Sequence, residues 1–91
     1  MATITLTDEK RFSIADTVAK TFSIDYKAIT PNTRKFYFRE VINSQIKVNG
    51  QVTTLTEAFG VDEATNLTGI ILNRLAMAPL RRVNAGMNVE A

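Results

Sequence analysis

Histidine, cysteine and tryptophan are missing from this chain. Their absence excludes disulfides, Cys/His zinc sites, haem held through His or Cys, and every catalytic pair built on His or Cys. Glycine (4) and proline (2) are scarce as well. The glycines, Gly50, Gly60, Gly69 and Gly86, are scattered, so there is no Gly-rich phosphate loop, dinucleotide fingerprint or nucleophile elbow. No apolar run reaches the roughly 18 residues of a membrane span. Met1-Ala2-Thr3-Ile4-Thr5 lacks a basic stretch followed by an apolar core, so no signal peptide is expected. A cytoplasmic or virion location fits these absences.

What remains is ordinary globular material. Hydrophobic residues make up 45% and charged residues 22% of the 91, enough for one small domain over 1–91. A domain of this size buries only about 60–65% of its unfolded surface, and association with further copies would bury more. Net charge is +2. This is a weaker basic excess than a dedicated nucleic-acid domain carries.

Periodicity outlines the elements. Ala2, Ile4 and Leu6 alternate with threonines over 2–7, as in a half-buried strand. From Asp8 to Phe22, residues Phe12, Ala15, Val18, Ala19 and Phe22 share one helical face, with Ile14 at its edge. Thr7 is the expected N-cap of that helix, and Asp8 and Glu9 suit its positive end. Ser23–Ile29 alternates weakly, as a short strand would. Thr30-Pro31 has the form of an N-cap with proline at the first helical position. Residues 31–43 fit either a helix or a strand, and the helix is preferred.

Gln45–Thr54 reads as a hairpin. A three-residue loop, Val48-Asn49-Gly50, sets Ile46 opposite Val52 and keeps polar and apolar faces separate, so that register is preferred. Thr54-Leu55-Thr56-Glu57 is a capping box that opens a short helix ended by Gly60 as a left-handed cap. Asp62 is the next expected N-cap, for a helix from Glu63 to about Met77. Residues 80–91, with Arg81-Arg82 and widely spaced Val83, Met87 and Val89, read as an extended C-terminal tail. The expected fold class is therefore α+β: an N-terminal strand, two or three helices and a central β-hairpin.

Two features draw functional attention. The helix over 63–77 is apolar over about 220° of arc, more than one neighbour covers. It is either a central core helix, or one side of it meets a second subunit or partner. Arg74 lies inside the apolar arc, so it reaches out along the surface, pairs within the chain, or meets a partner. The candidate interface is Arg74, Ile70, Leu67, Met77, Gly69 and Asn73.

The second feature is the run 34–39. Arg34, Lys35 and Arg39 interleave with aromatic residues, and Arg34, Lys35, Tyr37 and Arg39 form a candidate nucleic-acid surface. A helix-turn-helix over 52–75 is disfavoured. Asn66 stands where that motif wants an apolar residue, and the second helix lacks basic side chains apart from Arg74.

No catalytic, cofactor-binding or metal-ligating residues are singled out. The expected function is a non-enzymatic assembly or interaction protein, homo-oligomeric or complex-bound, with a phage or virus particle component fitting the profile. Its expected partner is protein, either itself or a larger assembly, with no membrane and no metal. A small nucleic-acid-binding accessory or regulatory protein is the alternative.

Overall fold

A computed structural model describes residues 6–22, 24–77 and 88–89. Its element order is α1 (Asp8–Ala19), a 3-10 turn (Tyr26–Ala28), α2 (Arg34–Asn43), β1 (Ile46–Val48), β2 (Gln51–Thr53), α3 (Leu55–Phe59), α4 (Val61–Met77) and β3 (Asn88–Val89). The chain is a small α+β structure, with four α-helices among the described residues rather than two or three. The expected strand over 2–7 falls largely outside those residues. Of its two described positions, Leu6 is buried and Thr7 caps α1.

Local chemistry starts the elements where hydroxyls can cap them. The Thr7 hydroxyl accepts the Lys10 N–H at 3.2 Å, and the Thr54 hydroxyl accepts the Glu57 N–H at 3.3 Å. Thr30 and Thr33 cap each other: each backbone N–H donates to the other's hydroxyl, at 2.8 and 3.2 Å. The Thr33 hydroxyl also donates to the Ala28 carbonyl at 2.6 Å, tying the 3-10 turn to the start of α2. Pro31 therefore sits in a turn, and α2 begins at Arg34, three residues later than the proline suggested.

Of the weak strand expected over 23–29, the described residues 24–29 form no strand and hold that 3-10 turn instead. Asp25 opens it by accepting the Lys27 N–H at 3.0 Å, and a capped turn outcompetes so short an alternation. Asp62 is likewise not an N-cap. The Gly60 carbonyl already accepts the Ala64 N–H at 2.9 Å, and α4 starts at Val61. Gly60 itself has φ 87° and ψ 163°. Its φ is positive, but the conformation is the extended one that essentially only glycine adopts, not the left-handed helical cap.

The hairpin takes the register opposite to the expected one. Ile46 pairs with Thr53, Lys47 with Val52, and Val48 with Gln51, leaving a two-residue Asn49-Gly50 loop. Both loop residues have positive φ, at 50° and 83°, which matches the right-handed twist of the strands. The preference for separated faces failed because β2 is a sheet edge. Among the described strands, in the order β2-β1-β3, only β1 has a neighbour on both sides. Ile46 and Val48 of β1 are buried, whereas Val52 of β2 is 69% exposed. The β3 strand lies parallel to β1, with Val48 beside Val89, and the Asn49 N–H donates to the Val89 carbonyl at 2.9 Å. Val89, from the segment expected to be a tail, is thus part of the core.

The core is organised on α4. Ala64, Leu67, Thr68, Ile71, Leu72 and Leu75 are buried, and α1, α2, α3 and the 3-10 turn all pack against this helix. Taking about 100° per residue, these six positions cover about 140° of its circumference. Thr68 is the one buried polar side chain of the described core, and its hydroxyl donates to the Ala64 carbonyl at 2.7 Å. That carbonyl also accepts its ordinary helical bond, so the hydroxyl adds little to stability. Leu67→Ala is expected to lower stability by about 2–5 kcal/mol, whereas Thr68→Val should change it by less than about 1 kcal/mol. Urea denaturation of both variants measures the contrast. Equal losses would mean that the Thr68 hydroxyl is structurally required.

Candidate interaction surfaces

On α1 the buried face is Ile14, Ala15, Val18 and Ala19, while Phe12 is 51% exposed. The expected stripe is therefore rotated toward Ile14. Arg11, on the same side as Ile14, reaches α4. Its Nε donates to Glu63 Oε1, and Nη2 donates to Glu63 Oε2 at 3.1 Å. The same guanidinium reaches Asp8 at 2.6 Å through Nη1. Hydrogen bonding to Glu63 is the chief cause of a raised Arg11 pKa. With the folded pKa above the unfolded one, the stabilisation is complete at neutral pH and fades only in strong alkali.

Residues of the candidate α4 interface separate into two groups. Leu67 is fully buried, so it serves the core and is withdrawn from the interface. Ile70 is half-buried against the core, Asn73 and Arg74 are exposed, and Met77 is 74% exposed. Ile70, Arg74 and Met77 follow one another at spacings of four and three, so they form a line along the outer side of α4. Arg74 reaches solvent and makes no ion pair among the described residues. Gly69 lies on the neighbouring half-buried strip. A Cβ built there would meet nothing within 4 Å.

The candidate nucleic-acid residues also divide. Residues 34–43 are helical, so Lys35 and Arg39 share a face but Tyr37 does not. Tyr37 turns inward against the core and packs edge-on to Phe36, with centroids 5.3 Å apart. Arg34 is half-buried, and its Nη2 reaches the Gly69 carbonyl at 3.4 Å, joining α2 to α4. The exposed face of α2 is instead Lys35, Phe36, Arg39, Glu40 and Asn43, with Phe36 60% exposed.

Phe12 and Phe36 were not among the sequence-derived candidates. For Phe36, the signal was present in the helical alternative, which sets it beside Lys35 and Arg39. For Phe12, no local signal separated it from the core, because which side of α1 is buried is decided by its packing on α4, distant in sequence.

Among the described residues, no group of three or more His, Cys, Asp or Glu side chains is placed to hold a metal ion. No buried side-chain polar atom there lacks a hydrogen-bond partner. No described helix is long and apolar enough to cross a membrane. No family model, curated protein or solved structure matches the chain.

The Arg11–Glu63 pair links α1 to α4 with little solvent on either side chain, at 23% and 16% exposure. Glu63→Gln and Arg11→Met should each lower the thermal midpoint. The double variant should lose less than the two single losses added together, because each single change strands a partly buried charge. Strictly additive losses in a double-mutant cycle would show that the two groups act independently.

Proposed function

We propose that this chain is a non-enzymatic assembly protein that forms a homo-oligomer or a structural component of a larger complex, as in a phage or virus particle. The observation that carries this reading is Gly69. Glycine inside a helix costs about 1 kcal/mol relative to alanine. No described residue needs the missing side chain, since nothing among them lies within 4 Å of the Cβ position. A flat spot beside exposed Asn73 and near the Ile70, Arg74 and Met77 line is useful to a second surface that comes close to the helix backbone. Arginine and methionine are also favoured at protein interfaces. A small accessory protein that binds nucleic acid is the second reading, supported by the exposed Lys35, Phe36 and Arg39 on α2.

Gly69→Ala separates function from folding by moving two readouts in opposite directions. Stability should rise by up to about 1 kcal/mol, while the oligomer seen by light scattering and size-exclusion chromatography should weaken. Arg74→Ala should likewise disturb assembly more than the thermal midpoint. Unchanged elution of both variants at several concentrations would remove this face from the interface. For the second reading, a mobility shift with short DNA or RNA should weaken steeply as salt is raised, and Lys35→Glu should abolish it. Flat binding curves at low salt would dismiss nucleic acid.

A further inference from the structure

The two exposed phenylalanines sit in surroundings of opposite charge. Around Phe12, the exposed side of α1 carries Asp8 and Glu9 one turn before and Asp16 one turn after. Asp8 pairs with Arg11 at 2.6 Å and Asp16 with Lys20 at 2.9 Å, and Glu9 has no ion pair among the described residues. Around Phe36, the exposed side of α2 carries Arg39 and Glu40 one turn after and Lys35 beside it, two cations to one carboxylate. Neither Lys35 nor Arg39 makes an ion pair among the described residues.

The helices lean on different flanks of α4. The α1 helix is bound at Glu63 and α2 at Gly69, positions about 120° apart around the α4 axis. One molecule therefore cannot satisfy its acidic aromatic face with its own basic one.

We infer that a second copy of this chain docks head to tail, with the α1 face of one copy (Glu9, Phe12, Asp16) on the α2 face of the next (Lys35, Phe36, Arg39). This rests on the proposal that the chain self-assembles, but not on the α4 strip. Charge selects the pairing. Two α1 faces brought together would oppose net negative charge, since Asp8, Glu9 and Asp16 outnumber Arg11 and Lys20. Two α2 faces would oppose net positive charge, since Lys35 and Arg39 outnumber Glu40, whereas α1 on α2 matches the signs. The phenylalanines form the apolar centre and the charges its rim. Two different surfaces meeting in this way leave one of each free at the ends, so the contact propagates as a filament or closes as a ring.

Sedimentation velocity on Phe12→Ser, Phe36→Ser and the parent chain tests the inference, with circular dichroism confirming that each variant is folded. Each variant alone should be monomeric, with association weakened by about thirtyfold or more. Mixed in equal amounts, the variants should form a dimer and nothing larger, because Phe12→Ser keeps its α2 face and Phe36→Ser keeps its α1 face. Raising salt should weaken the parent assembly. A parent that associates undiminished in both variants would overturn the inference while leaving the α4 strip as the interface. A mixture that stays monomeric while the parent assembles would also overturn it, as would a dimer of Phe36→Ser alone, since α1 would then pair with itself. A monomeric parent that binds short oligonucleotides and loses them on Phe36→Ser would assign the α2 face to nucleic acid instead.

Discussion

The width of the apolar arc on α4 is the constraint that the other elements obey. A helix with so much apolar surface cannot be satisfied by one neighbour. Here α1, α2, α3 and the 3-10 turn share its buried side, about 140° of the circumference. The short elements have little stability alone. A five-residue α3 and three-residue strands persist because they cover part of this helix or of one another. The Arg11–Glu63 pair then fixes how α1 is rotated on α4. A nonspecific apolar contact would not choose between Phe12 and Ile14. A guanidinium reaching one carboxylate favours the rotation in which Ile14, not Phe12, is buried.

Features controlled by neighbouring residues were readable from the sequence. The hydroxyl caps at Thr7 and Thr54 involve groups three residues away, and both are present. The helix preferred over 31–43 is present from Arg34 to Asn43. Features controlled by distant partners were not readable. The hairpin register depended on whether β2 needed a buried face, and its position at the sheet edge meant that it did not. The positive φ values of Asn49 and Gly50 then settled the loop. Apolar periodicity sets Phe12 inward because it carries no knowledge of how α1 packs on a helix distant in sequence.

The candidate surfaces follow the same division. Helical spacing placed Ile70, Arg74 and Met77 on one line, and they lie on the outer side of α4. Leu67 borders that line, but tertiary packing covers it completely. On α2, choosing between helix and strand decided which aromatic faces outward. The strand pattern joins Tyr37 to Lys35 and Arg39, and the helix substitutes Phe36.

The Gly60 joint has a consequence for how the chain folds. Its extended, positive-φ backbone lets α3 end at Phe59 and α4 begin at Val61 with a single residue between them. The helical corner over 55–77 is therefore built from contacts close in sequence, which carry little loop-closure cost. The pairing of β1 with β3 spans about forty residues and must wait for that cost to be met. Leu55, Phe59 and Leu67 can thus be buried early, and Val89 joins late, so the C-terminal strand closes a core whose interior is already arranged.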